Sequence, residues 1–104
     1  MNLVQTENFY ESVSKGNHYL DVMAANIEKG GNIVKLNVTD LNNNRKIAEI
    51  VTDYADGLLV TRDVLTYHDD FLQRWDLIMN EKRTVTIFRR DEYNFFREQI
   101  KTNH

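Results

Sequence analysis

In the segment Asn32 to Thr39 apolar and polar residues alternate from Val34 onward, with Val34, Leu36 and Val38 on one side and Lys35, Asn37 and Thr39 on the other. A period of two marks a strand with one face buried and the other in water. A lone strand cannot pair its own backbone groups, so the neighbouring sequence must supply partners for it. The fold therefore turns on what residues 40–57 become.

Two readings of that stretch are open. In the first, Asp40-Leu41-Asn42-Asn43-Asn44 is a turn, because Asn and Asp tolerate positive φ. Lys46 to Asp53 then returns as a strand, Ala55-Asp56-Gly57 turns again, and Leu58 to Arg62 completes a three-stranded meander. In the second, Thr39 caps a helix that Gly57 ends, with Ile47, Ile50, Val51 and Tyr54 on a 3-4 stripe. Three consecutive asparagines make a poor first helical turn and a good hairpin loop, which favours the meander.

The flanks read as helix. Thr6 is an N-cap candidate with Glu7 in the first turn, and Phe9, Val13, Leu20, Met23, Ala24 and Ile27 fall on one stripe. Gly16-Asn17 interrupts without changing the phase, and Gly16 on the stripe would let another backbone approach. Gly30-Gly31 supplies the stop. After Asp63, read as an N-cap, Val64, His68, Phe71, Leu72, Trp75, Ile78 and Met79 line one helical face, with Asp70 and Arg74 pairing at i,i+4 on the other. Thr84 to Phe88 is a short β-branched strand. Asp91-Glu92 opens a last helix with Tyr93, Phe96 and Ile100 inward. The expected fold is one compact α+β domain over residues 1–104: N-terminal helix, three-stranded antiparallel meander, helix, short strand, C-terminal helix.

Composition narrows the chemistry. The 104 residues fit one domain, and the absence of cysteine removes disulfides, thiolate metal sites and thiol catalysis. Ser12 and Ser14 sit on no glycine-flanked elbow, and Gly30-Gly31 precedes a strand instead of opening a phosphate-binding helix. His18 with Asp21, or His68 with Asp69 and Asp70, offers a metal edge too small to close a site. The N-terminus lacks a cationic segment followed by an apolar one, and no apolar run approaches the roughly 18 residues of a membrane span. The expectation is a cytoplasmic, non-enzymatic protein, without a cofactor or metal, a monomer or a homodimer, and not associated with a membrane.

The net charge of −3 conceals a division. Seven acids between Asp53 and Glu81 face only Arg62 and Arg74, whereas six bases from Lys82 to Lys101 face Asp91, Glu92 and Glu98. Solvated faces explain such segregation, and so does a surface that steers a charged partner. Arg89 and Arg90, near Arg83 and Arg97 and interleaved with Tyr93, Phe95 and Phe96, have the makings of a phosphate-contacting, base-stacking surface. Tyr67, Leu77 and Phe95 fall off the main apolar stripes and are candidate contact anchors.

Two resemblances follow. The run from a leading helix into IVKLNV (33–38), an Asn-rich turn, a strand, ADG (55–57), LLVTRD (58–63) and a helix resembles the small phage-encoded anti-CRISPR inhibitors. Those are compact acidic α+β proteins that carry carboxylates into a DNA-binding groove. The likeness implies a host defence nuclease as partner, with Asp53, Asp56, Asp63, Asp69, Asp70 and Asp76 occluding its nucleic-acid site. On the helical reading of 39–56, Thr61-Arg62 and Asp91-Glu92-Tyr93 are similar to the strand and short-helix signatures of Phd/YefM-type antitoxins. That likeness implies binding to a toxin and to operator DNA, with Arg89, Arg90 and Arg97 on phosphates and Tyr93 and Phe95 beside them.

Overall fold

The structure, a computed structural model, describes residues 18–92, 94, 95 and 98. Helix α1 (His18–Glu28) precedes five strands: β1 (Asn32–Leu41), β2 (Arg45–Asp53), β3 (Val60–His68), β4 (Phe71–Met79) and β5 (Arg83–Arg89). They form one antiparallel sheet in the order β1-β2-β3-β4-β5, so every strand pairs with its chain neighbour. A short helical segment begins at Arg90.

This corrects the expected helix–meander–helix–strand–helix order. The segment read as a helix after Asp63 is a hairpin, β3 and β4, and the fold is mostly β. The apolar residues at 3-4 spacing belong to two faces of two strands: Leu65 and Tyr67 are buried while Val64 and Thr66 look the other way. Asp69 and Asp70 take φ of 51° and 67° and reverse the chain in two residues between paired His68 and Phe71. Two successive left-handed residues make the tight turn whose twist matches a β-hairpin. The Asp70–Arg74 pair expected on a helix is replaced by Arg74 Nε–Asp76 Oδ2 at 2.8 Å, two residues apart on one strand face.

Residues 45–53 are strand, paired throughout with both β1 and β3, so the helical reading of 39–56 fails. Asn43 and Asn44 adopt φ of 63° and 57° in the connecting loop, as the asparagine run suggested. β1 carries a bulge between Ile33 and Lys35 that displaces Val34, leaving Leu36 and Val38 beside Ile50 and Ala48.

Helix α1 ends in a two-bond cap, with the Gly31 N–H donating to Asn26 O at 2.8 Å and the Gly30 N–H to Ile27 O at 3.0 Å. Gly30 takes the left-handed φ of 92° this cap requires. The buried side of α1 is His18, Val22 and Asn26, spaced by four, whereas Leu20 and Ile27 of the expected stripe are 44% and 53% exposed. The expected Thr6 cap, Phe9, Val13 and Gly16 lie outside the described residues, as do Phe96 and Ile100. The core is Val22 against Ala48, Ile50, Leu65, Tyr67, Leu72 and Phe88. α1 covers this inner face of the sheet, and among the described residues no element lies over the outer one.

Candidate functional site

The six aspartates expected to form one surface are dispersed. Asp53 Oδ1 accepts the N–H groups of Ala55 at 3.1 Å and Gly57 at 2.9 Å, which ties the β2–β3 loop. Asp56 lies exposed in that loop with φ 50°. Asp69 and Asp70 occupy the opposite end of the sheet, a strand length of about 27 Å away. Asp76 is on the outer face, where it binds Arg74 and accepts the Thr86 hydroxyl at 2.7 Å.

Asp63 lies within β3, which overturns its reading as a helix cap, and at 2% exposure it is not part of the exposed surface. Its Oδ1 accepts Asn26 Nδ2–H at 3.1 Å, and its Oδ2 accepts Trp75 Nε1–H at 2.8 Å. Asn26 also donates to Thr52 Oγ1 at 3.1 Å, so one amide pins α1 to β2 and β3. Burial pushes the Asp63 carboxyl above the usual carboxylate range, while the Trp75 and Asn26 hydrogen bonds and the Lys29 charge pull the other way.

Of the basic group, Arg89 pairs with Asp91 at 2.8 Å and with Glu92 at 3.5 Å. Arg90 donates from Nε to Leu72 O at 3.0 Å, with its guanidinium over the rings of Phe88 and Phe71 at 5.1 Å and 5.8 Å. Phe95 is 66% exposed, while Tyr93 and Arg97 lie outside the described residues. Tyr67, a candidate anchor by its spacing, is a core residue, and Leu77 lines a cleft beneath α1.

His18 is buried edge-on against Trp75 at 5.2 Å, and desolvation lowers its pKa despite the nearby Asp21 charge. His68 is exposed, 3.7 Å from the Asp69 carboxylate. Among the described residues no group of three or more metal-ligating side chains comes together. None of their helices is long and apolar enough to cross a membrane.

What the strands do assemble is a patterned outer face. Register places Lys35, Ile47, Glu49, Val51, Arg62, Val64, Asp76 and Ile78 on it. Lys35 Nζ meets Glu49 at 2.9 Å, and Arg62 reaches Glu49 at 3.3 Å. Arg62 also grips both carboxylate oxygens of Glu81 at 3.0 Å each. The Lys35 hydrogen bond, assisted by Arg62, holds the Glu49 carboxyl below its ordinary range, and Arg62 does the same for Glu81. Ile47, Val51, Val64 and Ile78 stand half-buried between these pairs. The period-two placement of Glu49 and Val51, Arg62 and Val64, and Asp76 and Ile78 was the signal in the sequence for this face. A helical reading of 64–79 obscured it.

No family model matches the chain, and neither a curated protein nor a solved structure matches it.

Proposed function

We propose that the chain is a non-enzymatic module that binds a protein partner on the outer face of its sheet, over which none of the described elements lies. The observation that carries this reading is the composition of that face. Four half-buried aliphatic residues alternate with charges already held by one another, Lys35, Arg62 and Arg74 against Glu49, Glu81 and Asp76. Exposed ion pairs of this kind contribute only about 0–1 kcal/mol each to folding, so stability gives little reason for the arrangement. A pre-ordered, charge-balanced surface with aliphatic patches suits a protein partner. Nucleic acid would instead draw on unpaired bases.

In its sharper form the proposal makes the partner a host defence nuclease and the module its mobile-element inhibitor. That form rests on the small acidic character of the chain and on exposed Asp40, Asp69 and Asp70, which together with Arg45 and Lys46 line an open cleft of 480 Å³ at the end of the sheet. The Phd/YefM-type alternative loses the helix over 39–56 on which it depended.

The test is complex formation with purified candidate nucleases, followed by size-exclusion chromatography and calorimetry. Val64→Arg, at the centre of the face, is expected to weaken the complex by about tenfold or more. Charge reversal at Asp69 and Asp70 is expected to make a smaller, salt-dependent difference. A complex indifferent to Val64→Arg contradicts the outer-face reading, and no complex with any nuclease contradicts the inhibitor form.

A further inference from the structure

Beneath α1 the inner face of the sheet opens into a second cleft, of 460 Å³. Its walls are apolar, built from Val22 and Ala25 of the helix and Trp75, Leu77 and Met79 of β4. Asp63 lies among these walls, and Lys29 and Tyr54 are also in the lining. The volume lies within the range of small-molecule sites, roughly 300–1,000 Å³, in which apolar walls bind and a few fixed polar groups orient.

Asp63 is anomalous for a core residue. Buried carboxylates are normally paired with a cation, yet its direct partners are the neutral N–H donors of Asn26 and Trp75, and no described lysine or arginine forms an ion pair with it. Each carboxylate oxygen accepts one of those bonds and keeps a second lone pair. Asn26 and Trp75 thus fix the carboxylate in orientation without neutralising it.

We propose that this cleft is a binding site for a small organic amine, its apolar body against Trp75, Leu77 and Met79 and its ammonium group donating to Asp63. The ligand supplies a cation in direct contact with Asp63, on which Lys29 acts only at longer range, and a charge-assisted hydrogen bond in an apolar cleft is stronger than its equivalent in water. A neutral molecule of the same shape gains only the apolar contact, and an anion meets a like charge. This site lies on the opposite face of the sheet from the proposed protein-binding surface, so the two stand or fall separately.

Trp75 is the only tryptophan of the chain and donates to Asp63, so its emission reports on the site directly. Hexylamine, hexanol and hexanoate are titrated into the full chain at neutral pH, with Trp75 fluorescence and calorimetry as readouts. Hexylamine is expected to bind about tenfold or more tighter than hexanol, the difference that one charge-assisted hydrogen bond makes. Asp63→Asn is expected to abolish that preference. Ala25→Leu, which fills the cleft from the helix side and leaves Asp63 in place, is expected to abolish binding of amine and alcohol alike, and it decides the matter should Asp63→Asn fail to fold by circular dichroism. Equal affinity for amine and alcohol, an unchanged Trp75 signal, or a preference that survives either substitution overturns the proposal.

Discussion

Gly31 has no space for a side chain. A β-carbon there would press on the Thr52 methyl, on the Asn26 carbonyl oxygen at 2.7 Å and on the Tyr54 ring at 2.8 Å. Two of these neighbours belong to the helix cap and to the buried network, so the strain cannot be relieved by moving one flexible side chain. Gly31→Ala is expected to destabilise the protein by about 2 kcal/mol in urea unfolding, within the range for overpacking. His18 makes a second prediction at this scale. Desolvation lowers its folded-state pKa below the ordinary 6.5. The unfolded chain therefore takes up a proton more readily, and the stabilisation is complete above pH 6.5 and is lost as pH falls through the folded value. Urea midpoints are expected to drop on acidification below that point, and His18→Phe, which keeps the ring against Trp75, should flatten this part of the profile. An unchanged profile in the variant would assign the acid sensitivity elsewhere. Asp63 and Asn26 show where residue-level reading stopped. An aspartate ahead of an apolar run looks like a cap, and an asparagine within a helix looks solvated. Their hydrogen bond joins positions 37 apart in sequence, and nothing local announces it.

At the scale of elements, the β3–β4 hairpin separates what was legible from what was not. Alternation identified β1, the asparagine run identified the first turn, and the β-branched run at 84–88 falls inside β5. The segment 64–79 was lost because both faces of its strands carry apolar residues. The outer face is a half-buried surface, not a polar one, and two interleaved period-two patterns imitate a 3-4 stripe. Asp69-Asp70 was the available sign of a turn, weaker than Asn-Gly because a charged pair reads equally well as exposed helix. Since Asp70 holds φ at 67°, a conformation that costs glycine nothing, Asp70→Gly is expected to raise stability by about 0.5–1 kcal/mol. Asp70→Val should lower it, by about 1 kcal/mol or more. Thermal and urea unfolding of both variants checks the pair, and a helical 69–70 would reverse the sign for glycine.

At the scale of the molecule, the meander order means that the sheet pairing among the described residues is between sequence neighbours, while α1 covers one face through Val22 and the Asn26 network. This arrangement explains why the division of charge along the sequence does not become a division of surface. Asp53 and Asp56 sit at one end and Asp69 and Asp70 at the other, while Asp63 is internal and Asp76 is paired. The bases Arg89 and Arg90 return to the same end as Asp69 and Asp70, because β5 runs antiparallel to β4. What remains is a sheet with an aliphatic and pre-paired charged face turned outward, the face proposed to meet the partner. Its most direct test is methyl-labelled NMR of the protein titrated with a nuclease that forms a complex. The methyl signals of Ile47, Val51, Val64 and Ile78 are expected to shift or broaden while those of Ala48, Ile50 and Leu65 on the inner face stay in place. Perturbation confined to the inner face or to the Asp69–Asp70 turn, with the outer-face methyls silent, would contradict it.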